Sequence, residues 1–201
     1  MAERRGATGP RAWIALALLL GLGSALAWGA ATEAIDWQPG LAGRHPWRTF
    51  SAVFVHYSAL HLLANLAGVA LVGGLGQAAH VPLRCSVAWL AAWPLTQCGL
   101  LLQPQLLHYG GLSGVLHAGV SIVAIHLVWR GAPRERRIGV AILGVLLAKV
   151  MVEAPWAGPL RHPPGWDIAV APLAHATGVA AGVLCSLIAE AVARGVYDRR
   201  P

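Results

Sequence analysis

Ser113 stands in the stretch GGLSGVLHAG, residues 110–119, with glycine just after it and His117 four residues on. A serine hydroxyl is a poor nucleophile until a base takes its proton, and histidine suits that task near neutral pH. Two further stretches carry polar groups of the same kind: FVHYSALHLLANLAG holds His56, His61 and Asn65, and APLAHATGVAAG holds His175. Together these residues could perform acyl transfer. The tetrahedral oxyanion of such a reaction needs positioned donors. The Ser113 amide, at the start of a helix and its favourable dipole end, supplies one, and the His61 and Asn65 side chains can supply others. His61 and Asn65 are four apart, as are Ser113 and His117, so each pair shares a helix face. Asp36, Asp167 and Asp198 all fall in loops or the tail, so a Ser–His dyad fits better than a triad. Each piece alone has a plainer account. Small residues are common at membrane helix contacts, a lone interior histidine is usually just hydrogen-bonded, and Val115 replaces the last glycine of a nucleophile elbow. The combination carries the chemistry.

The elements that must hold these groups are membrane helices. The 201 residues are 57% hydrophobic and 11% charged, with mean hydropathy +0.60, whereas soluble domains carry roughly 25% charged residues. Six apolar stretches, at about 11–31, 52–75, 83–103, 112–129, 138–154 and 169–193, approach the ~17–25 residues of a spanning helix. Short polar connections join them into one membrane domain over 1–201, an all-α bundle of six transmembrane helices. With the N-terminus in the cytoplasm, Arg4, Arg5, Arg11, Arg84, Arg130, Arg134, Arg136, Arg137, Arg194, Arg199 and Arg200 face inward. Only Arg44, Arg48 and Arg161 face outward, and Lys149 lies within a span. That bias predicts cytoplasmic termini. The net charge of +7 then reflects topology, with the acidic leaflet of the bilayer as partner and no nucleic acid. The basic N-terminus, its apolar run and "ALA" at 25–27 also fit a signal peptide, but cleavage there would leave five unpaired spans. Cys85, Cys98 and Cys185 are scattered through apolar spans and read as small buried side chains.

Ionisable groups inside spans are functional candidates, and here their depths agree. Ser113 lies near the outer start of span four, His61 and Asn65 in the outer half of span two. His175 lies a turn or two below the outer end of span six, roughly 9–10 Å at 1.5 Å per residue. Three helices thus bring polar groups to one depth, which predicts a wet cavity opening outward.

These residues resemble the rhomboid family of intramembrane serine proteases over nearly the whole chain. The likeness runs through Trp47-Arg48, then H-x4-H-x3-N at His56, His61 and Asn65. It continues with GLSG at 111–114, including Gly111 and Gly114, and AH-x2-G-x3-G at Ala174, His175, Gly178 and Gly182. The resemblance implies Ser113 as nucleophile and His175 as general base, with His61, Asn65 and the Ser113 amide in the oxyanion hole. It makes His56 structural in the outer loop region and gives Trp47 and Arg48 the anchoring of that loop at the membrane surface. Gly178 and Gly182, lacking Cβ atoms, would let span six press against span four.

Where many rhomboids carry tyrosine four residues after the serine, this chain has His117, as in the rhombosortase branch with its GLSGVLHG pattern. That branch implies a bacterial inner membrane, an active site open to the periplasm, and exported substrates ending in Gly-Gly, a transmembrane helix and a basic tail. His117 is also a second candidate for the base. His175 is preferred, because side chains one turn apart on a helix rarely reach attack geometry, and His117 can instead back the His175 ring. Lys149 and Glu153, four apart near the outer end of span five, read as a local ion pair or a snorkelling lysine, with gating or substrate contact as the lesser alternative. No cofactor or metal is required, and no H-E-x-x-H occurs. The rival functions are a proteolytically inactive rhomboid-like client-binding protein, and a haem or metal protein using His61, His117 and His175.

Overall fold

A computed structural model describes the backbone of residues 8–197 and the side chains of 8–193. Arg4, Arg5, Asp198, Arg199, Arg200 and the Arg194 side chain therefore lie outside the described residues. Six long helices make the bundle: α1 (Thr8–Leu26), α2 (Ala59–Ala78), α3 (Leu83–Cys98), α4 (Ser113–Arg130), α5 (Pro133–Glu153) and α6 (Pro172–Tyr197). Among the described residues, five of them, α5 excepted, are each long and apolar enough to cross a membrane, α3 together with the 3-10 turn that carries it on to Leu102. α5 is equally long, but its first turns hold Arg134, Glu135, Arg136 and Arg137; its apolar stretch begins at Ile138. The chain is an all-α integral membrane protein.

The helix ends differ from the sequence expectation for local reasons. The span expected at 52–75 begins as a helix only at Ala59, because the Ser58 hydroxyl caps the His61 N–H at 3.1 Å. His56 therefore sits in the turn before α2 and not within it. The span expected from 169 starts at Pro172, whose fixed φ suits the first turn. His175 is thus in the first turn of α6, shallower than anticipated. Cys98 is exposed, contrary to expectation, while Cys85 and Cys185 are buried. A small thiol has enough apolar character to stand on the outside of a membrane helix.

Two indoles lock the core. Trp13 and Trp89 stack with centroids 4.3 Å apart, and both are wholly buried. Their Nε1–H groups donate to the Val72 and Val115 carbonyls at 2.9 and 2.8 Å. Each indole reaches into a neighbouring helix, so α1, α2, α3 and α4 are tied through one stacked pair. At the end of the bundle away from Ser113, Glu190 of α6 accepts from Arg84 of α3 at 2.7 Å and Arg130 of α4 at 2.8 Å. Glu190 is 1% exposed, but the arginine side chains keep 31% and 42% of their exposure. Glu190→Ala should therefore cost about 1.5–3 kcal/mol, the range for hydrogen bonds to charged groups, and not the larger penalty of a fully buried pair. A lowered thermal midpoint of the purified protein is the expected readout, and an unchanged midpoint would contradict this account.

The long connection between α1 and α2 supports the segment that enters α4. Trp37 and Tyr109 exchange two main-chain hydrogen bonds, each 2.8 Å, and the Gly111 N–H donates to the Ala52 carbonyl at 2.9 Å. Asp36, a loop residue by composition, is 1% exposed. It gathers Arg48 at 3.4 Å, His108 at 2.7 Å, Gln38 at 2.8 Å and the Tyr57 hydroxyl at 3.4 Å. Arg48 thus turns inward, although the resemblance implied a surface anchor. The physical reason is that a buried carboxylate requires a cation beside it. Trp47 stays half exposed and lies under the Arg48 guanidinium, 5.5 Å from its ring centroid.

Candidate active site

α4 and α6 form the most extensive helix pair of the bundle, and the site lies at one end of it. Ser113 is the first residue of α4, so its N–H is one of the amides a helix leaves without an internal partner. The Ser113 Oγ is 2.9 Å from His175 Nε2, and His175 is 5% exposed. The glycines between these helices account for the approach. A Cβ on Gly178 would collide with the Gly114 carbonyl oxygen, and one on Gly182 would lie 2.5 Å from the Ala118 carbonyl oxygen. A Cβ on Gly114 would meet the Ala174 carbonyl at 2.7 Å. The obstacles are backbone atoms, which cannot swing aside as a side-chain tip can.

His117 is also placed here, turned to the main chain and to the second imidazole. Its Nδ1–H donates to the main-chain carbonyl of Ser113 at 2.6 Å. Its ring stacks on the His175 ring, with centroids 4.2 Å apart and planes 14° from parallel. His117 thus backs the His175 imidazole while the latter faces the hydroxyl.

The other nitrogen of His175 meets a residue that the sequence left out of the site. His175 Nδ1 is 2.7 Å from Glu153 Oε2, and Lys149 holds the second oxygen of that carboxylate. Among carboxylates the sequence draws attention to its aspartates, and Lys149–Glu153 reads from spacing alone as a local i,i+4 pair. The signal was present in the sequence as a carboxylate at the outer end of a span, level with the histidine.

α2 supplies the facing wall. His61 and Asn65, one turn apart, are both buried and line a cavity of about 770 Å³ together with Ser113, His117, Glu153 and His175. Gly111 has φ +131°, and a Cβ there would lie 2.7 Å from His61 Nε2, so only glycine turns the chain into α4 without displacing that imidazole. His56 lies outside the cavity. Its Nδ1 is 3.3 Å from the Phe54 carbonyl and its ring 4.8 Å from that of His61, which steadies the latter from behind. Tyr109 also lines the cavity. Burial pushes its phenol up to about 12, so the hydroxyl stays protonated. Leu160, Trp166 and Val170 of the α5–α6 connection form part of the lining, and that connection is tethered to the start of α2 by Ser58 Oγ–H donating to Asp167 at 2.7 Å.

A hydroxyl on an imidazole nitrogen, beside donors in a half-enclosed cavity, is an arrangement suited to acyl transfer. Among the described residues, no three His, Cys, Asp or Glu side chains are grouped to hold a metal ion. No curated protein matches the chain. A family model described as the Rhomboid domain matches residues 43–191, a span that starts in the connection between α1 and α2 and takes in every residue of the cavity. The order of the motifs, the helix count and this match agree, and the chain belongs to the rhomboid family.

Proposed function

We propose that the protein is an intramembrane serine endopeptidase. The observation that carries this reading is the 2.9 Å contact between Ser113 Oγ and His175 Nε2 inside a cavity large enough for an extended peptide. His175 Nε2 takes the hydroxyl proton as Ser113 Oγ attacks the scissile carbonyl carbon. The resulting oxyanion is met by the Ser113 N–H and the side chains of His61 and Asn65. Collapse breaks the C–N bond, and the proton on His175 passes to the leaving amine. Water then gives a proton to His175 as its oxygen adds to the ester carbon; the bond to Ser113 Oγ breaks as His175 returns that proton to Oγ, which restores both residues.

The substrate is a transmembrane or tail-anchored segment. Cleavage needs an extended backbone, and helices with Gly or Gly-Gly steps unwind most readily, at about 1 kcal/mol per glycine relative to alanine. The histidine at 117 favours the rhombosortase branch, hence exported proteins ending in Gly-Gly, a helix and a basic tail. The same branch favours a bacterial inner membrane, and the arginine bias favours both termini in the cytoplasm, which leaves the cavity open to the periplasm. Trp47, half exposed beside the Arg48–Asp36 pair, fits an interfacial position for the outer loop.

A fluorophosphonate probe tests the nucleophile directly. Purified protein should acquire one covalent adduct, on Ser113, located by mass spectrometry of the digested chain. An intact, folded preparation that takes no adduct, or takes it elsewhere, would favour a client-binding member of the family without protease activity.

A further inference from the structure

An apolar bundle has little reason to keep a charged pair beside a buried hydroxyl–imidazole contact. Glu153 is the last residue of α5, and Ala154 follows at φ 48°, ψ 67°, turning the chain away. The carboxylate is 24% exposed and reaches His175 Nδ1 at 2.7 Å, while Lys149 holds its other oxygen. Lys149 Nζ is itself 3.4 Å from His175 Nδ1. The charged and titratable groups facing the imidazole are thus His117 of α4, Lys149 and Glu153 of α5, and His61 across the cavity on α2.

Donor and acceptor chemistry decides what the pair does. A carboxylate can only accept and an ammonium can only donate. Glu153 therefore holds the imidazole proton on Nδ1 and leaves the Nε2 lone pair for the Ser113 hydroxyl. With Glu153 absent, the nearest group to Nδ1 is the Lys149 ammonium. A donor there favours a bare Nδ1 and a proton on Nε2, a tautomer that cannot accept the Ser113 proton. Local helix stability does not explain the pair, since Lys four residues before Glu is the weaker order and contributes at most about 0.5 kcal/mol.

We infer that Glu153 is a positioning residue that sets the His175 tautomer and orientation, and that Lys149 anchors the carboxylate in that pose. The inference rests on the protease reading above. The proton taken from Ser113 stays on His175 and none passes to Glu153; the carboxylate stabilises the imidazolium that forms.

The test uses the full chain in proteoliposomes with two probes: the fluorophosphonate, and a single-span reporter carrying Gly-Gly, a helix and a basic tail. In Glu153→Gln the amide oxygen turns to Lys149, leaving its NH₂ toward Nδ1. kcat should fall by about 10²- to 10⁴-fold, as for loss of a tautomer-fixing carboxylate elsewhere, with KM within twofold of wild type. The labelling rate should fall in the same ratio. Glu153→Asp, one methylene shorter but still an acceptor, should recover at least tenfold over Glu153→Gln. Lys149→Met should lose no more than about tenfold, because the acceptor remains. Wild-type-like labelling and kcat in Glu153→Gln would overturn the inference, as would Lys149→Met being as damaged as Glu153→Gln, which would make the pair merely structural. If wild-type protein itself takes no label at Ser113, the protease reading fails first. Labelled wild type with an equally reactive Glu153→Gln defeats only the role of Glu153.

Discussion

Ser113→Ala and His175→Ala should each bring reporter cleavage down to background, a loss of about 10⁴-fold or more in kcat, the scale seen when a member of a serine–histidine pair is removed. Ser113→Ala deletes the oxygen proposed to form the acyl ester, yet leaves the α4 backbone and its N-terminal amide in place. His175→Ala removes the imidazole nitrogen that, among the described residues, stands within hydrogen-bond distance of the Ser113 hydroxyl. The two losses should not add. The double variant should be no slower than either single one, because both residues act in the same step. Fold and insertion should survive both changes, because the side chains lost border an open cavity of about 770 Å³ and are not packed on all sides. The measurements are turnover in proteoliposomes and the thermal midpoint of the same preparations. Ser113→Ala with wild-type turnover of a verified substrate would sink the nucleophile assignment.

Gly178→Val should be nearly as damaging, although the residue touches no reacting atom. The added Cβ meets the Gly114 carbonyl oxygen and carbon, so α4 and α6 must part. Gly178 lies three residues from His175 on α6, and Gly114 directly follows Ser113. Separation at this crossing therefore passes straight to the 2.9 Å contact. A displacement of about 1 Å in a reacting pair can cost about 10²-fold, so kcat should fall at least that far. Packing loss should also lower the thermal midpoint, since overpacking a tight contact costs about 1–3 kcal/mol. Gly74→Ala on α2 is the control: its Cβ would meet nothing within 4 Å, and both activity and stability should hold. A fully active Gly178→Val would show that the crossing does not set the serine–histidine distance.

Much of the site was readable because helical spacing is a local property. His61 and Asn65, four apart, must share a face wherever α2 lies. The agreement in depth among Ser113, His61 and His175 followed from span length, since the bilayer gives every helix a common ruler. Glu153 was not readable in the same way. Its partner lies 22 residues later, across a connection of no regular structure, and Lys149 on the same helix already accounted for its charge. Asp36 and Arg48 escaped for a similar reason. The sequence placed Asp36 in a loop, and tertiary packing buried it and drew Arg48, His108 and Tyr57 around it. Cys98 erred in the opposite direction, since a thiol in an apolar run carries no mark of which side faces its neighbours.

By itself the sequence determined a polytopic helical membrane protein, the faces of its spans and the placing of a serine at the start of a helix. Hydrophobic runs, caps and helical repeats act within one segment, so they can be read without knowing what lies alongside. Only the tertiary structure decided that Ser113 and His175 approach to 2.9 Å, that His117 stacks behind the imidazole and that Glu153 meets its far nitrogen. Those distances depend on which helices become neighbours and on how closely bare glycine backbones let them pack, and neither is encoded in the periodicity of any single helix.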